Sequence, residues 1–239
     1  MVVADSGSMK KLVALAVTAL AATAAAQTTV VVQPSSSLGL RGLEFGVLGG
    51  YAGGLNGEVF VHAPNVAGPV GIKASASYTS ASDALRDDVS VNPTLGLDTF
   101  GEFKQQGLAT ESGSHATYAL DGTYNLGQVG RGVDLTAYAG GRYGTFSATE
   151  TYAGDAALSQ TTRTSAFGVG AGAMLGYRIS DRASLVGDLG VDQYFNGAIT
   201  NGTDAGTYKV GEAGYNDVRA RFAFPGTVFK AKVGVKFNF

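Results

Sequence analysis

Apolar and polar residues alternate with a period of two along most of the chain after residue 37. In the last segment, apolar side chains from Phe229 to Phe239 occupy every second position, and Lys230, Lys232 and Lys236 stand between them. Strict alternation of this length predicts a β-strand with two different faces. The same pattern predicts eight strands, near 38–51, 57–63, 69–79, 115–127, 133–152, 161–180, 183–200 and 227–239.

The predicted connections fall into short turns on one side and longer loops on the other. This layout is typical of antiparallel transmembrane β-barrels. The fold class predicted is therefore all-β, an antiparallel transmembrane β-barrel with eight strands. An extra hairpin built from Val89–Leu97 and Thr99–Phe103 would give the alternative of ten strands, and Arg219–Phe224 raises the same alternative in the last loop.

The N-terminus has the three parts of a secretory signal peptide. Lys10 and Lys11 are followed by the apolar run Leu12–Ala24 and by a small-residue cleavage site at Ala24–Ala26. The run is too short for a spanning helix, which needs about 20 apolar residues. We expect the true start at Met9. The predicted segments are a signal peptide at 1–26, a polar linker at 27–37 and the β-barrel at 38–239.

Composition excludes several functional classes. The chain has no cysteine, which excludes disulfides and thiolate metal sites, and its net charge of −2 provides no basic surface for nucleic acid. No cofactor and no metal is expected. Glycine occurs 36 times and only 15% of residues are charged, which is below the roughly 25% of a soluble domain.

The direction of the two strand faces separates a membrane barrel from a soluble one. A soluble barrel buries its apolar face, whereas a membrane barrel turns that face to lipid. The signal peptide, the charges of both signs on the polar face and the apolar C-terminal residues Phe237 and Phe239 favour the membrane barrel. An even number of strands then places both termini on the short-turn side, which we expect to be the periplasm.

The strand pattern over 38–239 and the terminal residues Lys236–Phe239 resemble the small eight-stranded outer-membrane barrels, the class that includes the transmembrane domain of the OmpA type. The resemblance implies a place in the cell outer membrane, contact with its lipid, and a C-terminal assembly signal at Phe237 and Phe239 for the barrel-assembly machinery. No peptidoglycan-binding domain is expected after the last strand. Because tryptophan is absent, the interfacial aromatic residues would be tyrosine and phenylalanine.

The predicted interior carries six acidic and six basic residues. Buried charges are costly unless they are paired, so this balance favours a charge network that fills the barrel. The inward glycines leave space and support the alternative, a narrow porin-like channel for ions or small solutes. The predicted lumen charges are Glu44, Glu58, Lys73, Asp121, Asp134, Arg142, Arg178, Asp188, Asp192, Lys230, Lys232 and Lys236.

Catalysis has little support in the sequence, and we expect no enzyme. Glu111, Ser114 and His115 are the candidates for a lipid-modifying barrel enzyme, the most distant alternative. Ser114 and His115 are adjacent, so in a regular strand they would face opposite sides. We therefore interpret His115 as a surface histidine in a polar loop.

Specific activity is expected in the longer loops. The loop 80–114 is rich in acidic residues and is the candidate contact for an extracellular partner. The function predicted is a structural, envelope-stabilising or surface-interaction role.

Overall fold

The structure is a computed structural model that describes residues 42–90, 99–152, 159–202, 206–223 and 226–239. The predicted signal peptide, the linker and residues 38–41 of the predicted barrel lie outside the described residues. So do residues 91–97 of the predicted extra hairpin. Among the described residues, no helix is long and apolar enough to cross a membrane.

The described part of the chain forms ten β-strands and two six-residue helices. The helices are α1 (Phe100–Gln105) and α2 (Tyr215–Ala220). The strands are β1 (Glu44–Ala52), β2 (Leu55–Ala67), β3 (Val70–Ala81), β4 (Ala109–Gly130), β5 (Val133–Tyr152), β6 (Ser159–Arg178), β7 (Ala183–Tyr194), β8 (Ile199–Asn201), β9 (Thr207–Tyr208) and β10 (Thr227–Asn238).

Eight of these described strands close into an antiparallel barrel. Strands β1 to β7 pair in chain order, β10 pairs with β7, and β10 also pairs with β1 to complete the ring. Closure leaves no unpaired sheet edge in the ring. The prediction of a closed eight-stranded antiparallel barrel is confirmed.

The ten-strand alternative is wrong for the barrel wall. Thr99 is the N-cap of α1, where its side chain accepts a hydrogen bond from the backbone of Glu102. Arg219 and Ala220 are the last two residues of α2 and do not form a strand. The short strand β8 pairs with Thr162–Thr164 near the start of β6, and β9 pairs with β8. Both lie outside the closed ring. The sequence pattern missed both helices because each has less than two turns.

The two ends of the barrel differ. Short turns connect β2 to β3, β4 to β5 and β6 to β7 at the end where Glu44 pairs with Asn238, so both ends of the described barrel chain lie there. We call this the terminus end and the opposite one the loop end. In the turn after β4, Gly132 has a φ of 72°, which favours glycine. At the loop end, β4, β5 and β6 extend well beyond the short hairpin of β1 and β2.

The outward face is apolar between two rings of aromatic side chains. Exposed valine, leucine and isoleucine residues cover the middle, with Val47 at 45% and Leu189 at 60% exposed. The ring near the loop end consists of Tyr51, Tyr78, Tyr118, Tyr143, Phe167 and Phe229, and the ring near the terminus end consists of Phe45, Tyr124, Tyr177, Phe237 and Phe239.

The inward face is polar, charged and buried. The charged side chains Lys73, Asp121, Arg142 and Asp188 are all at most 3% exposed. This distribution, with charges inside and apolar side chains outside, is inverted relative to that of a barrel that folds in water. The period-two alternation of the strands separates the two faces.

Candidate functional site: the barrel interior and its cap

The interior charges of the barrel lie in three successive layers. The first charge layer is nearest the terminus end and contains Glu44 and Lys236, whose Nζ lies 2.6 Å from Glu44 Oε1. His62 bridges this layer, with Nδ1 2.7 Å from Glu44 Oε2 and Nε2 2.9 Å from the hydroxyl of Thr123. The carboxylate therefore has partners on both of its oxygens.

The second charge layer lies in the middle of the barrel and contains two carboxylates and two ammonium groups. Lys73 Nζ lies 3.4 Å from Glu58 Oε1 and 3.8 Å from Asp188 Oδ2. Lys232 also pairs with both Glu58 and Asp188. Tyr138 donates a 2.6 Å hydrogen bond to Asp188, and its ring lies 4.5 Å from Lys73 Nζ. The four charges form an alternating square against an aromatic ring.

The third charge layer is the next one toward the loop end. Arg142 donates from Nε to Asp192 at 2.8 Å and from Nη1 to Asp121 at 2.6 Å. Lys230 donates to the same oxygen of Asp192 at 2.8 Å. One guanidinium group thus joins carboxylates from two strands of the barrel wall.

Each charge layer is electrically neutral among the described residues when the ring of His62 is counted as neutral. The first layer has one acidic and one basic residue, and the second and third have two of each. Buried charges are tolerated when each has opposite charges and hydrogen bonds close by. Because the charges pair within the layers, each of these three layers is compensated locally.

Ten of the twelve predicted lumen charges belong to these layers, and two do not. Arg178 is exposed and Asp134 is half-buried, both at the terminus end of the barrel. Arg178 lies on the inward side of the alternation but is exposed, because it is the last residue of β6, where the barrel wall ends.

Large aromatic side chains fill the space beside the inward glycines. Phe60 is paired across the sheet with Gly46, Tyr138 with Gly172, and Tyr194 with Gly168. A Cβ on Gly46 would collide with the Phe60 ring. The expectation that inward glycines leave space is therefore wrong here, since each of these glycines provides room for a ring on the neighbouring strand.

A small cavity lies within the charged interior. It has a volume of about 20 Å³ and lies beside the third charge layer, lined among others by Lys230, Arg142 and Tyr194. A single water molecule needs about 10–15 Å³. This cavity is not a passage for solutes.

An apolar layer covers the charges on the loop side. The rings of Phe146 and Tyr194 meet edge to face with centroids 5.0 Å apart, and Tyr194 shares a 2.9 Å hydrogen bond with Thr117. His115 is 3% exposed in this layer, with its ring 5.2 Å from Phe146. The interpretation of His115 as a surface residue is wrong, because β4 continues inward-facing alternation up to Ala109.

A cap, made of the described residues of the β3–β4 and β7–β10 connections, covers the loop end beside β4 and β5. An apolar cluster joins it to the barrel wall, and the backbones of the two connections bond to each other, from Arg86 to Arg221 and from Ala223 to Ala84. The buried members of the cluster are Ala84, Leu85, Phe100, Ala109 and Ala148, and Phe103, Tyr152 and Phe222 pack against them.

Two buried carboxylates of the wall hold the cap in place. Glu111 accepts hydrogen bonds from the backbone amides of Ala84 at 2.9 Å and Leu85 at 2.8 Å and also from Lys104. Glu150 pairs with Arg221 at 3.0 Å. The hydrogen bonds from Lys104 to Glu111 and Asp87 raise the pKa of its ammonium group, so this contact persists above the pH at which an ordinary lysine loses its proton.

We predict that Glu111→Ala loosens the cap while the barrel stays folded. The substitution removes the acceptor of two backbone amides and leaves Lys104 with Asp87 alone. Tryptic cleavage after Arg86 in the folded protein should become about tenfold faster, as expected for the loss of a charged hydrogen-bond acceptor. Asp181→Ala is the control, since Asp181 is exposed in the turn after β6, at the opposite end of the barrel from Arg86. Equal cleavage of both variants would contradict the role of Glu111.

The structure does not assemble a catalytic group from the candidates in the sequence. Glu111 is held by the cap, and Ser114 and His115 lie on opposite faces of β4, as their spacing predicts. Among the residues the structure describes, no cluster of three or more histidine and carboxylate side chains is arranged to hold a metal ion.

An apolar outer band between aromatic rings, around a charged and paired interior, defines a transmembrane β-barrel. This chain is an eight-stranded outer-membrane β-barrel protein of the bacterial type. It is similar to a major outer membrane protein from Thermus thermophilus, at 29% identity and a TM-score of 0.74, covering 83% of this chain and 99% of the other.

Two further solved structures match at lower similarity. The N-terminal β-barrel domain of Pseudomonas aeruginosa OprF has 14% identity and a TM-score of 0.43, covering 83% of this chain and 98% of that one. Ail, the attachment invasion locus protein of Yersinia pestis, has 9% identity and a TM-score of 0.42, covering 83% and 97%. No family model and no curated protein sequence matches the chain.

Proposed function

We propose that this protein is a closed structural barrel that stabilises the outer membrane and presents its cap at the cell surface. The observation that carries the proposal is the filled interior: three neutral charge layers, with aromatic rings placed beside glycines. A narrow channel would need a continuous polar path. The apolar layer at Phe146 and the cap at Phe222 both lie across such a path.

We also propose that the terminus end faces the periplasm and the loop end the outside. The short turns and both ends of the described barrel chain share one end, as is usual when the longer loops are extracellular. Phe237 and Phe239, which are 42% and 77% exposed, would then be presented outward for recognition by the barrel-assembly machinery.

The proposed role is non-enzymatic, and the cap is the surface available to an extracellular partner. Its exposed charged groups include Arg86 and Asp88, and Arg86 Nη2 lies 2.7 Å from Asp88 Oδ2. The chemistry of the interior supports no transfer reaction, because its carboxylates are occupied by lysine, arginine or histidine.

Deletion of the gene tests the structural role against transport. We expect the deletion strain to become more sensitive to detergents and large antibiotics, since a stabilising component of the envelope is lost. Expression of the wild-type protein should restore resistance. A transporter predicts the opposite pattern, with slower uptake of a small solute and unchanged detergent sensitivity. That result would overturn the proposed function.

A further inference from the structure

A face rich in hydroxyl groups lies on the outside of the tall wall formed by β4, β5 and β6. Twelve outward positions of these strands form four rows of three paired residues, and ten of the twelve are serine or threonine. From the barrel upward, the rows are Ala116–Thr145–Ser165, Ser114–Ser147–Arg163, Ser112–Thr149–Thr161 and Thr110–Thr151–Ser159.

The pairing keeps the hydroxyl groups in a regular array. Neighbouring strands are about 4.8 Å apart, and successive outward residues of one strand are about 6.6 Å apart. Within the array, Thr149 and Thr161 share a 2.9 Å hydrogen bond and Thr151 and Ser159 share one of 3.1 Å. The five threonines of the array are stiff at χ1, so they lose little side-chain entropy on binding.

The low charge of this face separates it from an ordinary solvated surface. About a quarter to a third of surface positions are normally charged, which predicts three or four among twelve. Arg163 is the one charged residue in these twelve positions. The cap of the same protein, by contrast, places Arg86, Asp87 and Asp88 in succession. A neutral surface of donors and acceptors is suited to a neutral ligand that has many hydroxyl groups.

The position of the face indicates where that ligand comes from. Its lowest row lies two residues beyond Tyr118, Tyr143 and Phe167, which are paired with each other in the aromatic ring at the loop end. The face is therefore continuous with the lipid-contacting band. Four rows on strands tilted by about 40° rise roughly 15–20 Å, whereas a phospholipid headgroup region is roughly 5–8 Å thick on each side.

We propose that this hydroxyl face binds the sugar headgroups of glycolipids in the surrounding outer leaflet. Its height corresponds to a headgroup of several sugar units, and its hydroxyl groups donate to and accept from sugar hydroxyls. Arg163 would hold the position of a phosphate or carboxylate substituent on the sugar chain. The inference rests on the proposed orientation, with the loop end outside, and not on whether the barrel conducts.

Lipid retention by the purified protein tests this inference. The protein is mixed in detergent with equal amounts of phosphatidylglycerol and a synthetic glycolipid with three neutral sugar units, and bound lipid is counted by native mass spectrometry. The wild-type protein should retain more of the glycolipid than of phosphatidylglycerol. The double variant T149V/T161V, which removes two hydroxyls and keeps the shape of the side chains, should retain about tenfold less glycolipid.

Two controls make the outcome decisive. Thr227→Val removes an exposed hydroxyl on β10, outside the array, and should leave retention unchanged. Heat-modifiable migration on gels shows that each variant is folded. Equal retention of the two lipids by the wild type, or unchanged glycolipid retention by the double variant, would overturn the proposal. Equally strong binding of the free trisaccharide would overturn the choice of a lipid as the source of the sugar.

Discussion

Replacement of Arg142 by methionine is expected to lower the free energy of unfolding by about 3–5 kcal/mol, the usual effect of breaking a buried ion pair. Arg142 is 3% exposed and joins Asp121 to Asp192. Without it, two buried carboxylates share the single positive charge of Lys230, which lies on Asp192. The penalty comes from the uncompensated charge rather than from lost volume, since methionine is also long and flexible.

Urea unfolding of the protein folded into lipid vesicles measures this effect. Arg178→Met is the matched control, because Arg178 lies exposed at the end of the barrel wall and should change stability by no more than about 0.5 kcal/mol. Adding Asp121→Asn to the Arg142 variant should restore part of the lost stability by removing one unpaired charge. Equal losses at Arg142 and Arg178 would contradict the layered interior.

Phe60→Ala is also expected to lower the free energy of unfolding, by about 3–5 kcal/mol. Phe60 is 1% exposed in the middle of the barrel, packs against the inward side of Gly46 and lies 5.3 Å from Lys73 Nζ. Truncation leaves a cavity next to the second charge layer and removes one of the two aromatic contacts of Lys73, while the contact with Tyr138 remains.

The pairing of Phe60 with Gly46 is tested by a double-mutant cycle. Gly46→Ala alone should destabilise by about 1–3 kcal/mol, because its Cβ meets the ring, and should be nearly neutral in the Phe60→Ala background. Gly57→Ala is the control, since a Cβ there meets nothing within 4 Å. Additive effects at Gly46 and Phe60 would show that the glycine does not provide room for the ring.

The sequence was sufficient to predict the strands and which face carries the charges, because both follow from a period of two. Lys232 and Asp188 were placed inside the barrel from alternation alone, and they lie 3.6 Å apart. Arg178 is predicted inward by the same alternation but is exposed, because alternation gives the direction of a side chain and not the depth at which the wall ends.

The filling of the interior was not predictable from single strands. Whether Gly172 leaves a gap depends on the residue opposite it, Tyr138, and that pairing needs the register between β5 and β6. The cap was missed for a different reason. Its helix α1 has less than two turns, although Thr99 and Glu102 form a capping box whose spacing is visible in the sequence.

Single-channel recording in a planar bilayer tests the central claim that the interior is closed. The protein, produced without residues 1–26, is first shown to be folded by heat-modifiable migration on detergent gels. We predict no stable conductance steps from this folded protein, because neutral charge layers, an apolar layer and the cap lie across the barrel. Reproducible conductance steps from folded protein would contradict the closed barrel and indicate a narrow channel.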